Sequence, residues 1–388
     1  MSDDELRAYA NELAHRFIII DGHIDFPSTI AEKKGDLGLA LNNPGADFDY
    51  DRAKRGGLDA PFMSIYVPSS TQWKNDKGEL MGGGRERADS LINFVNSVVA
   101  TYPDKFALAN TPAEVEINFK AGKISLPMGM ENGAPIGTDI ENLKYFFNRG
   151  IRYITLTHGK DNQICDSSYD TTRATWSGLS PFGEEVVKEM NRLGIMVDIS
   201  HVDDSTFYDV MKITKAPAIA SHSSCRHFTP GFERNMNDDM IKMLAKNGGV
   251  IQINFGASFL DSAVRANKKV VDSLGKVLKI NKLMSRNAEA QAIIAQFGQH
   301  KDFFSNVERV ADHIDHVKAI AGIDYIGLGS DYDGVGDSLP EGLKDTSTYP
   351  NLIYVLLKRG YTEVEIQKIC SGNVFRVWNK VIDVASGK

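Results

Sequence analysis

FIIIDGHID, residues 17–25, decides how the rest of the chain is read. A run of large apolar, mostly β-branched residues makes a strand that is covered on both faces, as in a parallel sheet, and it leads straight into His23 and Asp25. Five more segments end in the same way: SLPMGME (125–131) on Glu131, YITLTH (153–158) on His158, MVDISH (196–201) on His201, AIASH (218–222) on His222 and YIGLGSD (325–331) on Asp331. An eight-stranded β/α barrel gathers the C-terminal ends of its strands on one face, where such barrels keep their chemistry. Ligands far apart in sequence would converge there.

Eight short apolar runs, at 17–21, 61–67, 124–130, 151–157, 195–200, 217–221, 249–254 and 325–330, alternate with segments long enough for helices. That alternation predicts a parallel sheet with crossover helices, and eight repeats predict closure. PFGEEVVKEMNRLG (181–194) is a clear amphipathic helix, opening on Pro181 and closing on Gly194. Two gaps, 68–123 with its glycine patch GELMGGGRERAD and the helical-looking 255–324, are too long for simple connections and read as insertions around the barrel mouth or flank. The expectation is one domain over residues 1–388, an α/β (β/α)8 TIM barrel with helical insertions.

Composition narrows the partners. Fifty-one acidic against 44 basic residues give a net charge of −7, which suggests neither nucleic acid nor an anionic lipid surface. No apolar run approaches the roughly 20 residues of a membrane span. A small-molecule substrate fits better, and a homodimer stays open. Cys165, Cys225 and Cys370 are too few and too widely spaced for a disulfide framework or a thiolate zinc site. The acidic amphipathic start, MSDDELRAYANELAHRF, has no signal-peptide pattern, so the sequence as written predicts a cytoplasmic protein, export remaining open if a leader has been removed.

His23 and Asp25 stand two apart, and on a strand such residues share a face. Taken alone, a His-x-Asp pair is most often a turn feature, Glu131 a loop glutamate, and His201 or His222 a hydrogen-bonded packing histidine. Together at strand ends they read as a metal centre. One ion would be held by His23, Asp25 and Glu131 and a second by Glu131, His201 and His222, with a bridging water or hydroxide. Nitrogen and oxygen donors without sulfur suit two zinc ions, with manganese, cobalt or iron as alternatives. His313 and His316, in DHIDHV, imitate a helical metal motif but read as packing residues of an amphipathic helix, while His15, His227 and His300 have no convergent context.

The motifs IIIDGHIDFP, GMENG, TLTH, DISH, SHSS, ERNMNDDM and IGLGSDYDGV, in this order from about residue 17 to the closing GNVFRVW, resemble the renal or membrane dipeptidase family of zinc peptidases, within the amidohydrolase superfamily. The resemblance matches His23 and Asp25 to first-metal ligands, Glu131 to the bridging carboxylate and His201 and His222 to the second-metal pair. It implies that His158 polarises the scissile carbonyl, that Arg234 grips the substrate's terminal carboxylate, and that Asp331 is the acid/base group. It also implies dipeptide hydrolysis with tolerance of L-Xaa-D-Xaa substrates. One departure is Asn132, which follows Glu131 where the family commonly has glycine. The rivals are another amidohydrolase reaction, on cyclic amides, phosphoesters or β-lactams, and a non-catalytic zinc-binding barrel. The first usually brings His-x-His and a carboxylated lysine, whereas Lys160 here lies beyond its strand end. The second has no use for both His158 and Asp331.

Overall fold

Eight parallel strands follow one another around the sheet in the order in which they occur in the chain: β1 (Ile19–Ile24), β2 (Leu58–Tyr66), β3 (Met128–Glu131), β4 (Ile151–Thr155), β5 (Met196–Asp198), β6 (Ile219–Ser223), β7 (Val250–Ile253) and β8 (Ile326–Leu328). The structure, a computed structural model, describes residues 1–31, 35–170, 174–278, 288–296, 298–336 and 338–388. β1 is buried at every position, as its apolar run requires of a strand with helices on one side and the barrel interior on the other. The last strand reaches the first through the Ile24–Tyr332 bridge, with Asp25 N–H donating to the Tyr332 carbonyl at 2.9 Å and Asp331 N–H to the His23 carbonyl at 3.1 Å. This seam makes the sheet a nearly closed TIM-type barrel, and it is sewn by residues expected to do chemistry.

All eight predicted runs overlap a barrel strand, but one run is divided. Ile124–Ser125 pairs with Phe106–Ala107 in a separate two-stranded ladder, and the barrel strand begins only at Met128. Pro127, which has no N–H to give a ladder, lies at the break. The helix Pro181–Leu193 has the predicted bounds. Ser180 caps it by accepting from Gly183 N–H, and Gly194, at φ 84°, ends it in the left-handed conformation that glycine adopts without a Cβ penalty.

Both long gaps are insertions. The first holds the helices Arg85–Thr101 and Pro112–Lys120, and the second holds Ala257–Leu260, Ser262–Leu278, Ala288–Ile294 and Val307–Ile320. Residues 279–287 and 297 of the second lie outside the described residues. At one end of the barrel Trp378, on the C-terminal helix Asn373–Ala385, packs against Phe62 with ring centroids 5.2 Å apart and joins Ile20, Tyr153 and Ile219 in an apolar plug. The polar residues collect at the other. Among the described residues no helix is long and apolar enough to cross a membrane.

Candidate metal centre

Glu131 closes β3 and is 3 % exposed, and its two carboxylate oxygens face different partners. Oε2 stands 3.5 Å from His23 Nε2, which is also 3.5 Å from Asp25 Oδ2. Oε1 stands 3.1 Å from His201 Nε2, 3.4 Å from His222 Nε2 and 3.6 Å from His158 Nε2. Two ligand atoms held ~2.0–2.1 Å from one ion at the tetrahedral angle stand roughly 3.3 Å apart. The spacing is that of atoms sharing a cation. Three overlapping groups bring their donor atoms within 4.8 Å of one another: His23, Glu131 and His222; Glu131, His158 and His201; and His23, Asp25 and Asp331. Glu131 is common to the first two, so it is shared between two candidate ion positions.

The hydrogen bonds behind the rings fix which nitrogen is free. The Tyr153 hydroxyl donates to the Gly22 carbonyl at 3.0 Å, so at 2.8 Å it accepts from His23 Nδ1–H. Ser221 Oγ donates to Asp198 Oδ2 at 2.6 Å, so at 2.7 Å it accepts from His222 Nδ1–H. Both imidazoles therefore turn an Nε2 lone pair toward Glu131, the tautomer that metal ligation requires. His23 Nε2 has no hydrogen-bond partner among the described residues. A lone pair facing two carboxylates is repulsive until a positive charge sits among them.

Electrostatics express the same demand. Burial opposes a charge on His23, yet the Tyr153 oxygen, Glu131 and Asp25 drive its pKa well above the usual imidazole range. Without a metal, a proton must supply the missing charge. Burial, then His23 and Arg234, holds His222 well below that range, and burial, then Arg234 and His158, does the same for His201. Burial likewise opposes ionisation of Glu131, but His23, His158 and its close contacts with His201 and His222 hold it well below the carboxylate range. The site fits dications: buried carboxylates face imidazoles of which His201 and His222 are kept neutral, while His23 calls for a positive charge beside it.

Backbone strain aims several of these groups. Asn132, His201, Asp331 and Asp333 all have φ between 63° and 80°, left-handed values costing about 1–3 kcal/mol each where they are not glycine. Asn132 thus takes the conformation a glycine would, and Asn tolerates it better than most residues. Its amide donates to the Val67 carbonyl at 3.0 Å and accepts from Ala134 N–H at 3.1 Å, so the turn after Glu131 is retained and anchored.

The remaining expected residues lie around the cluster. Asp331 is 7 % exposed and accepts from Asn254 Nδ2 at 2.8 Å. Burial raises its pKa, with His23 opposing, Asp25 and Glu131 adding and Asn254 opposing, to about 7. His158 lies three residues past β4, its ring 4.3 Å from that of His201, and burial lowers its pKa. Arg234 is 3 % exposed, donating from Nη1 to Ser223 Oγ at 2.7 Å and from Nη2 to the His222 carbonyl at 2.9 Å. Its Nε is buried without a partner among the described residues. A cavity of about 760 Å³ opens over the cluster, with Tyr66, Tyr169 and Phe259 on its walls and Asp25, Glu131, His158, His201 and Asp331 at its base. Arg234 lies behind this lining. Lys160 is paired at 3.2 Å with Asp170 and its side chain is 58 % exposed, so it does not stand in for a carboxylated lysine.

Tyr153, Asp198, Ser221 and Asn254 escape a sequence reading, because nothing distinguishes them from strand and loop filler. A signal for Tyr153 lies in Gly129: a Cβ there would come 2.0 Å from the Tyr153 ring, so a glycine opposite a large aromatic marks where the ring crosses the barrel. His313 is the packing residue expected, with Nδ1 accepting from Cys225 N–H at 3.0 Å and Nε2 3.0 Å from the Leu260 carbonyl.

Comparison with known proteins gives concordant results. The membrane dipeptidase family, peptidase family M19, matches residues 7–388. Dipeptidase 3 of Mus musculus is 32% identical over 390 residues, covering 99% of this chain and 68% of the mouse protein. The crystal structure of dipeptidase AC, a metallopeptidase of family M19, superposes with a TM-score of 0.76 at 25% identity, over 94% of this chain and 98% of that one. A metallopeptidase from Rhodobacter sphaeroides, solved with a phosphinate mimic of the dipeptide L-Ala-D-Ala, gives a TM-score of 0.76 at 24% identity, over 94% and 99% of the two chains.

Proposed function

The chain belongs to the membrane dipeptidase family of metallopeptidases, and from that membership we propose that it hydrolyses the amide bond of free dipeptides, L-Xaa-D-Xaa among them, with two zinc ions. The observation that carries the reading is the division of Glu131 between His23 on one oxygen and His201 and His222 on the other. His23, Asp25 and Glu131 would hold one ion, and Glu131, His201 and His222 the second. Bound there, a pair of dications would lower the pKa of water toward neutrality and offset charge that develops on the substrate.

The protein's own groups supply the rest. Asp331, with its pKa raised to about 7, can take a proton from the attacking water and hand it to the departing amine, which leaves poorly unless protonated. His158 is kept neutral by burial, and its imidazole N–H can donate to the carbonyl oxygen as that oxygen becomes an oxyanion. Arg234 already spends one donor of each Nη on the protein, so its unpartnered Nε–H and a remaining Nη–H form a fork for one carboxylate. A free dipeptide has that carboxylate at a fixed distance from its amide, and an internal peptide does not. The phosphinate mimic of L-Ala-D-Ala bound by the Rhodobacter metallopeptidase supports a D residue at the carboxyl end.

Turnover of L,L, L,D and D,L dipeptides, with metal measured on the same preparation, tests the reading directly. Activity should disappear on chelation and return with zinc, and zinc should make the chain harder to unfold by about 4 kcal/mol for each site occupied at a free-metal level 1,000 times its Kd. Absence of turnover on every dipeptide with two metals bound would refute it. Arg234→Met is expected to cost on the order of 10²-fold in kcat/KM, about 2–3 kcal/mol, on free-carboxylate dipeptides, and far less on amide-capped ones. Equal losses on both would remove the carboxylate role.

A further inference from the structure

Away from this centre, between two helices of the outer layer, His227, Asp238 and His316 each turn a donor atom to within 4.8 Å of the others. His227 is exposed on the short turn after β6, Asp238 opens the helix Asp238–Lys246, and His316 lies on the helix Val307–Ile320. The two imidazoles are stacked, centroids 4.3 Å apart and planes 20° apart, and His316 Nε2 is 2.8 Å from Asp238 Oδ1. We infer that these three side chains form a separate, exchangeable divalent-metal site for zinc, copper or nickel.

The donor set carries the assignment. Two imidazoles and one carboxylate, with no thiolate, suit borderline dications, and three protein ligands leave a coordination position for water. The turn that presents His227 is held on both sides. Arg226 clamps Asp204 through two bonds, Nη1 to Oδ2 at 2.7 Å and Nη2 to Oδ1 at 2.5 Å. Phe228 packs its ring 4.4 Å from that of buried His313 and lies edge-on to both metal-facing imidazoles. His227 therefore reaches the other two donors without ordering a loop, which removes much of the entropic cost of assembling a site. With the Asp238 side chain 40% exposed, the site is wetter than the barrel centre and would hold its ion more weakly. An ion here would tie the segment carrying Arg234 to the helix Val307–Ile320.

The inference does not depend on the dipeptidase reading. Metal-loaded wild type, His227→Ala and a control, His15→Ala, would be dialysed to equilibrium against micromolar zinc and their metal counted. Wild type and His15→Ala should bind one equivalent more than His227→Ala, while all three give the same far-ultraviolet circular dichroism, which shows that they are folded. Substoichiometric Cu2+ added to the zinc-loaded proteins should give an electron paramagnetic resonance signal with two nitrogen couplings in wild type and one in His227→Ala. Equal zinc in wild type and His227→Ala, or a copper signal unchanged by the substitution, would overturn the site and leave a hydrogen-bonded, stacked pair of packing histidines.

Discussion

Glu131→Gln should empty the barrel centre and abolish turnover. The amide keeps the shape and one carbonyl oxygen but loses the charge, and its NH2 end presents protons to nitrogens that now present lone pairs. Loss of a partner behind a ligand typically costs 10–100-fold in metal affinity or activity. Removal of a carboxylate that faces four imidazoles, His23, His158, His201 and His222, at 3.1–3.6 Å should cost more, on the order of 10³-fold in kcat/KM. Metal content should fall together with activity. A variant that keeps two ions and near-wild-type turnover would show that Glu131 is not the shared ligand.

Asp331→Asn separates chemistry from metal binding. It should retain its ions and lose roughly 10²–10⁴-fold in kcat, the range for removal of a general acid/base, along with the acidic limb of the pH profile. Loss of metal in parallel would make Asp331 a ligand instead. Stability should move in the opposite direction. In the metal-free chain the folded-state pKa of Asp331 is about 7 against a model value of 3.8. The folded state therefore binds the proton more tightly, and this group's contribution is fully present below the unfolded pKa and lost as pH rises through about 7. Above that pH the wild type carries a buried, poorly compensated carboxylate that the amide variant lacks. Stripped Asp331→Asn should be the more stable protein at pH 8, by about 2–4 kcal/mol, with the gap narrowing toward pH 4 in urea titrations. A gap that does not change with pH would sink this account.

The barrel and the cluster of candidate ligands were legible because the same local event recurs: a covered, β-branched strand ends in a polar side chain. His23, Glu131, His201 and His222 needed only the rule that strand ends of a barrel share a rim, and the structure brings their donor atoms together. Tyr153 was not legible, since an aromatic inside a strand looks the same whether it fills a core or steadies an imidazole. Asp198 was hidden for a related reason: its oxygens serve Thr155, Ser221 and backbone N–H groups at 2.5–3.1 Å, and such pairing depends on neighbouring strands rather than neighbouring residues. The division of the third apolar run turned on Pro127, whose presence inside a continuous strand reading argued against it. His227 looked contextless because its two companions come from helices 11 and 89 residues further along the chain.

The seam between β1 and β8 also sets an order of events in the cell. His23 leaves the ribosome roughly three hundred residues before Asp331, whose backbone N–H bonds to its carbonyl. At roughly 5–20 residues per second that interval is about 15–60 s. Throughout it the growing sheet has an open lateral edge, a template for stray strand pairing, and its innermost ligands lack their last neighbour. Completion of the rim is therefore a late step of maturation, and translation that stalls before the final strand leaves a chain with an exposed strand edge and no Asp331.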